Sequence, residues 1–255
     1  MSINTANTPD GHGVLIYNGE MILLFIREVN LVFDKPTQDE LKRKKQGNLY
    51  LTSHRIIFID TTGKGTLRSF AMPFHTIRNV KLEQPILGAN FLTGSVVAMP
   101  DGNWHGEMTW RLTFNKGGCI DFGQALLKAN DMANHFRPQN APPQYAPPPG
   151  TYYAPPPAYY MAQGGSYNGF QAPVHAFPDQ PPPENVFMYE QPPPYPGIGP
   201  DRAPHQFSGQ QPTFAATGAS STAPSAPPQM APYPASHAPP GYPQAGPLPA
   251  KPKAD

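Results

Sequence analysis

The chain has 255 residues, and its 18 lysines and arginines nearly balance its 17 acidic residues, which leaves a formal net charge of +1. This balance argues against a dedicated nucleic-acid binder, because such domains are usually strongly basic. Cys119 is the only cysteine, so the sequence excludes an intramolecular disulfide and a thiol-based zinc site.

The composition divides the chain into two parts. Only five of the 37 prolines precede residue 138, and the part that follows is poor in leucine, isoleucine and valine. Such a segment buries too little apolar surface to offset its loss of chain entropy. We therefore predict a flexible N-terminus at residues 1–12, one folded domain at residues 13–137, and a disordered Pro/Tyr-rich tail at residues 138–255.

Short apolar runs follow one another through the first part of the chain and are separated by turn residues. In the clearest run, residues 108–114, apolar residues alternate with polar or charged ones. This period of two is typical of β-strands with one buried face. The pattern predicts about seven strands in series.

One helix closes the predicted domain. Asp121 is the predicted N-cap, and Pro138 ends the helix. The apolar residues at helical spacing are Phe122, Ala125, Leu126, Ala129, Met132, Ala133 and Phe136. The predicted fold is therefore mainly β with one C-terminal α-helix, in which the helix covers the open end of a partial barrel.

A basic run lies between two predicted strands. It consists of Lys42, Arg43, Lys44 and Lys45. Four adjacent cations suit a phosphoinositide headgroup or a nuclear-import receptor. The alternative is a solvated charged loop, since acidic residues stand close by in the sequence.

The tail contains four copies of Pro-Pro-x-Tyr. Their fixed residues are Pro142, Pro143 and Tyr145; Pro156, Pro157 and Tyr159; Pro192, Pro193 and Tyr195; and Pro239, Pro240 and Tyr242. Proline holds such a peptide extended before it meets a partner, so little entropy is lost when it enters an aromatic-lined groove. The tyrosine adds a large anchor at one fixed offset. We predict that these copies bind WW domains.

Several blocks of the domain carry a family resemblance. They are G-x-L-Y-L-T-x-x-R-x-I-F at 47–58, Q-P-x-x-G-A-N-F at 84–91, G-x-W-x-G at 102–106 and F-x-x-G-G-x-I-x-F-G-Q at 114–124. The first resembles the GRAM variant of the pleckstrin-homology-like fold. Together the blocks resemble the WW-domain-binding protein 2 family, to which the postacrosomal sheath WW-domain-binding protein is related.

The resemblance implies a function. Members of such a family are non-enzymatic adaptors that bind the WW domains of transcriptional co-activators and HECT-type ubiquitin ligases. They act as transcriptional co-activators in cytoplasm and nucleus, and they reach chromatin indirectly. We accordingly expect no enzyme activity, no cofactor and no small-molecule substrate. The histidines show no metal-ligand spacing, which predicts no metal site.

Two other functions stay open on the sequence. The chain suits an adaptor that phosphoinositides recruit to membranes and that brings HECT-type ligases to trafficking. The sperm-associated relative adds a gamete-specific role in egg activation. The basic run bears on the first alternative, and the expression pattern bears on the second.

Overall fold

The computed structural model describes residues 1–34, 36, 38, 41–135, 152–155, 157–161 and 166–199. All of them belong to one compact unit within residues 1–208. No helix among these residues is long and apolar enough to cross a membrane.

Strands dominate the described residues, with one α-helix among them. The elements are β1 (Ser2–Ile3), β2 (Val14–Tyr17), β3 (Ile22–Asp34), β4 (Lys45–Thr52), β5 (Arg55–Asp60), β6 (Ser69–Pro73), β7 (Ile77–Glu83), β8 (Phe91–Val97), β9 (Glu107–Phe114), α1 (Cys119–His135), β10 (Tyr152–Tyr153), β11 (Ser166–Tyr167), β12 (Phe170–Gln171) and β13 (Val186–Tyr189). Short 3-10 helices span Phe74–Thr76, Pro157–Tyr159 and Pro183–Asn185. The predicted fold class, mainly β with one helix after the strands of the domain, is confirmed.

The main sheet has the strand order β1-β6-β5-β4-β3-β9-β8-β7. The long β3 pairs with β4 along its first part and with β9 along its second part. Glu28, with φ of 59°, lies at the register shift between Ile26 and Val29, where a bulge bends the strand. The two halves of the sheet therefore share one apolar core.

Helix α1 closes this core. Phe122 and Leu126 are fully buried, and the Phe122 ring lies 5.2 Å from the Phe114 ring of β9. The ring of Phe177, from the predicted tail, meets Phe122 edge to face at 6.4 Å. The inner core thus contains strand, helix and tail residues.

The helix begins earlier than predicted. It starts at Cys119, and the Phe122 amide donates a hydrogen bond to the Gly118 carbonyl at 2.9 Å. Asp121 therefore lies in the first turn, where its charge suits the helix dipole, and is not the N-cap. The prediction missed that the turn at Gly117 and Gly118, both with positive φ, already directs the chain into the helix.

A second layer covers the outer face of the main sheet. In it, β13 pairs in parallel with β2 and antiparallel with β10. Its apolar cluster consists of Ala6, Val14, Ile16, Ile22, Phe25, Tyr50, Ile57, Ile59, Ala71, Tyr159, Val186 and Met188. We call this set the outer layer.

Parts of both segments that the sequence predicts to be flexible are ordered. In the predicted flexible N-terminus, residues 1–12, β1 pairs with β6 and Ile3 is 2% exposed. In the predicted disordered tail, residues 138–255, β13 joins β2 and buries Val186, while residues 138–151 and 200–255 lie outside the described residues. The physical reason lies in β5, whose six residues are all buried. A strand that is apolar on both faces needs cover on both faces.

Candidate functional site

A buried ion pair lies beneath the outer layer. Arg55, the first residue of β5, donates from Nε to Glu20 Oε1 at 2.9 Å and from Nη2 to Glu20 Oε2 at 3.0 Å. The same Nη2 donates to the Leu15 carbonyl at 2.9 Å. Both charged side chains are almost completely buried. A buried pair of this kind is stable only when its remaining polar atoms are also satisfied.

Two further groups satisfy the carboxylate. Thr52 Oγ1 donates to Glu20 Oε1 at 2.6 Å, and the Tyr17 amide donates to Glu20 Oε2 at 2.8 Å. Burial alone would raise the pKa of Glu20, but the charge of Arg55 and the hydrogen bonds from Arg55 and Thr52 outweigh burial and lower it. Glu20 is therefore ionised in the folded protein near neutral pH.

Tyr195 of the third Pro-Pro-x-Tyr copy packs next to this pair. The Arg55 guanidinium lies over the Tyr17 ring, with Cζ 4.5 Å from the ring centroid. The Tyr17 ring meets the Tyr195 ring edge to face at 5.9 Å. On another side, the His75 ring lies 5.6 Å from the Tyr195 ring. Tyr195 is only 8% exposed, and burial raises the pKa of its phenol well above the ordinary value.

The chain on both sides of Tyr195 is held by backbone hydrogen bonds. Before it, the Asn18 amide donates to the Gln191 carbonyl at 3.0 Å. After it, the Ile198 amide donates to the Ser53 carbonyl at 2.8 Å. The motif is therefore fixed at two points as well as by its ring.

Gly197 lies against the turn between β4 and β5. A Cβ built at Gly197 would lie 2.5 Å from the His54 ring and 2.6 Å from the Ser53 carbonyl oxygen, so no other residue fits without displacement. Burial lowers the pKa of His54 to about 4. His54 is therefore neutral near pH 7.

Tyr159 of the second copy is also buried, at 9% exposure. It belongs to the outer layer, together with Phe25 and Tyr50, whose rings lie 4.9 Å apart. The next residues continue along the sheet, because the Met161 amide donates to the Ile22 carbonyl at 3.0 Å. Both tyrosines of the described copies therefore pack on the domain.

Comparisons with known proteins identify relatives of the domain. The GRAM domain family matches residues 26–131. The chain is 40% identical over 136 residues to WW domain-binding protein 2 of Rattus norvegicus, with 52% of this chain and 51% of the relative covered. It is 41% identical over 132 residues to the postacrosomal sheath WW domain-binding protein of Macaca fascicularis, with 51% and 52% covered. The chain therefore spans about half the length of the curated relatives it matches.

A more distant relative is matched over most of its length. A stress-induced protein of Schizosaccharomyces pombe is 30% identical over 128 residues, with 49% of this chain and 74% of the relative covered. The chain belongs to the WW domain-binding protein 2 family. The family resemblance of the four domain blocks is thereby confirmed.

Two solved structures are similar to part of this chain. The N-terminal pleckstrin-homology domain of Vps36 has a TM-score of 0.38 and 23% identity, with 51% of this chain and 92% of that chain covered. The pleckstrin-homology domain of USP37 has a TM-score of 0.26 and 15% identity, with 41% and 97% covered.

The structure places only some of the predicted WW-binding residues. The copies at 142–145 and 239–242 lie outside the described residues, as does Pro156. In the third Pro-Pro-x-Tyr copy, Pro192 is exposed and Pro193 is half-buried, while Tyr195 is buried. The copy thus presents Pro192 to solvent and its tyrosine to the domain.

The basic run is divided by the strand boundary. Lys42, Arg43 and Lys44 are exposed, but Lys45 is the first residue of β4 and only 5% exposed. A patch of four cations was expected, and three remain on the surface. Lys45 is lost from it because it lies within β4, opposite Leu31 of β3, with its side chain buried.

Sequence reasoning missed the residues that hold the third copy. Tyr17, Glu20, Arg55 and Gly197 were not predicted as site residues. One signal was available, since Arg55 stands directly before the apolar run at 56–59 and an arginine that starts a buried strand needs a counter-charge. Among the described residues, no group of acidic, histidine and cysteine side chains is placed to hold a metal.

Proposed function

We propose that this protein is a non-enzymatic adaptor that binds WW domains through its Pro-Pro-x-Tyr motifs. The observation that carries the proposal is the presence of four such motifs in one member of a family whose relatives are named WW domain-binding proteins. Four copies on one chain also allow a partner with two WW domains to bind twice. Such linkage raises avidity by ~10²–10⁴-fold.

The finer function is transcriptional co-activation, in cytoplasm and nucleus, with chromatin reached through WW-containing co-activators. The buried Cys119 is consistent with a non-enzymatic adaptor, because burial raises its thiol pKa to about 11 and so disfavours a nucleophilic thiolate.

A titration with a WW domain of the class that binds Pro-Pro-x-Tyr peptides tests the adaptor proposal. We expect the full chain with Tyr145→Ala, Tyr159→Ala, Tyr195→Ala and Tyr242→Ala to lose WW binding. The matched control replaces two tyrosines outside the motifs, Tyr153→Ala and Tyr233→Ala, and is expected to bind like the parent chain. Retained affinity in the four-tyrosine variant contradicts the proposal.

A second function is favoured by the three exposed cations of the basic run. We propose that Lys42, Arg43 and Lys44 attract the domain to anionic membranes, where the tail recruits HECT-type ubiquitin ligases. Each cation near such a surface contributes about 1 kcal/mol. Co-sedimentation with vesicles that contain or lack phosphoinositides tests this version, and equal sedimentation with both kinds of vesicle contradicts phosphoinositide recognition.

A further inference from the structure

The third Pro-Pro-x-Tyr copy has two possible receptors, a WW domain and the GRAM domain of its own chain. We propose that the surface formed by Tyr17, Ser53, His54 and His75 is a binding site for the segment at 192–198 of this same chain. By holding Tyr195, this site withholds the third copy from WW domains until the segment is released. The inference rests on the proposed WW-binding function.

Burial of Tyr195 sterically excludes a WW domain from the docked copy. A WW groove must enclose the tyrosine ring together with the prolines. Tyr195 is 8% exposed, and its ring packs against the rings of Tyr17 and His75. One ring cannot enter two grooves, so WW binding at this copy requires the segment to leave the domain.

Backbone hydrogen bonds hold the segment in one register. Four backbone positions of β13 pair with β2 directly before the motif. Asn18 then binds the backbone at both Glu190 and Gln191, with Nδ2 donating to the former at 3.2 Å and the amide donating to the latter at 3.0 Å. Beyond the motif, Ile198 binds the Ser53 carbonyl. The site therefore reads the backbone on both sides of the tyrosine.

The site is selective for the third copy. The site requires glycine two residues after the tyrosine, because a Cβ there would lie 2.5 Å from the His54 ring. The third copy meets the requirement with Gly197. At the same offset the first, second and fourth copies have Pro147, Met161 and Gln244. The sequence that fits is Pro-Tyr-Pro-Gly-Ile, which occurs once in the chain.

The energetic consequence follows from population arithmetic. A ligand that binds only the released segment shows an affinity reduced by the fraction of molecules in which the segment is released. If roughly one molecule in ten is open, the apparent Kd rises about ten-fold. A WW domain that binds the third copy must therefore offset the free energy that holds the segment on the domain.

The test uses a full chain in which only the third copy can bind. The two prolines of every other copy are replaced by alanine, which leaves Tyr159 in the outer layer. We expect this chain to bind a WW domain at least ten-fold more weakly than a synthetic peptide spanning residues 189–199. Gly197→Ala in the chain is expected to restore most of the peptide's affinity, because the new Cβ collides with the His54 ring.

A peptide pair provides the matched control. Peptides with Gly197 and with alanine at that position are expected to bind the WW domain equally, which assigns the effect of Gly197→Ala to the domain contact. Ile198→Asp is a second releasing variant that works through a different contact, because Ile198 is 2% exposed in the docked segment. Equal affinity of the peptide and of the single-copy chain that keeps Gly197 overturns the proposal.

Hydrogen exchange separates this proposal from the adaptor function. The amides of Ile198 and β13 are expected to be protected in the full chain and to lose protection in Gly197→Ala, whether or not a WW domain is present. Absence of protection in the unsubstituted chain refutes the docking site. Failure of the free peptide to bind a WW domain refutes instead the adaptor function of the third copy.

Discussion

The two faces of the β4–β5–β6 sheet are buried in different ways. The inner face joins a core of 35 buried hydrophobic residues that α1 closes, whereas the outer layer contains 12, among the residues that the structure describes. The inner core is apolar, but the outer face also carries the ion pair of Arg55 and Glu20. We therefore expect β13, which covers the outer face, to separate from β2 more readily than the inner core unfolds.

The largest expected effect on stability comes from a substitution in the inner core. Phe122→Ala removes a fully buried ring from beneath α1 and is expected to lower the free energy of unfolding by about 3–5 kcal/mol. Urea denaturation followed by circular dichroism measures it. Ile120→Ala, in the same turn of α1 but 39% exposed, is the control and is expected to change stability by less than about 0.5 kcal/mol.

The next effect is a pH dependence of the free energy of unfolding, which comes from His54 on the outer side of the sheet. His54 has a pKa of about 4 in the folded protein and 6.5 as its ordinary value. Between these values the unfolded chain binds a proton that the folded chain does not. Stability is therefore expected to fall by roughly 3 kcal/mol as the pH drops from 6.5 to 4, and to level off below that for this group.

Denaturation curves at several pH values check this expectation. His54→Asn keeps a polar side chain without the titration and is expected to flatten the pH dependence over the same window. Glu20 acts at lower pH, because its folded-state pKa is lowered: the stability it confers is present above its ordinary pKa and is lost as the pH falls through the folded value. An unchanged pH profile in His54→Asn contradicts the assignment.

A smaller effect is expected from a substitution in β13, which covers the outer face. Val186→Ala removes buried methyl groups from β13 and is expected to cost about 1–2 kcal/mol. We expect the cost to be local, with β13 separating from β2 while the main sheet stays folded. Hydrogen exchange should show faster exchange at β2 and β13 with unchanged protection at β4 and β5. Uniform loss of protection would show instead that the two faces unfold together.

The smallest expected effect lies outside both faces. Replacing Lys42, Arg43 and Lys44 with glutamine is expected to change the free energy of unfolding by less than about 0.5 kcal/mol, because the three side chains are exposed. The same variant should lose vesicle binding if the membrane proposal holds. A large loss of stability would mean that this loop contributes to the fold.

Much of the domain could be predicted because its strands alternate. Met108, Trp110, Leu112 and Phe114 are buried while the residues between them are not, which is the pattern that the sequence predicted. The long β3 was less clear, since its bulge at Glu28 divides it into two apparent strands. Local periodicity reports burial on one face and says nothing about which distant strand pairs with it.

The site could be predicted only in part for the same reason. The Pro-Pro-x-Tyr copies are visible in the sequence, but the docking of Tyr195 depends on contacts with residues far away in the chain. The composition of the tail did not predict the four-residue strand β13, because β13 pairs with β2 of the domain and packs on the domain. The unbroken apolar run at 56–59 was the available signal that both faces of β5 need cover.

The pairing of β2 with β13 has a consequence for biosynthesis. Asn18 and Glu190, which hydrogen bond at the end of this pair, are 172 residues apart. At ~5–20 residues per second a ribosome completes β13 roughly 10–30 s after β2. During that interval the edge of β2 is unpaired and the outer face of β5 is uncovered. An unpaired strand edge and an uncovered apolar face both favour association of the nascent chain with other chains.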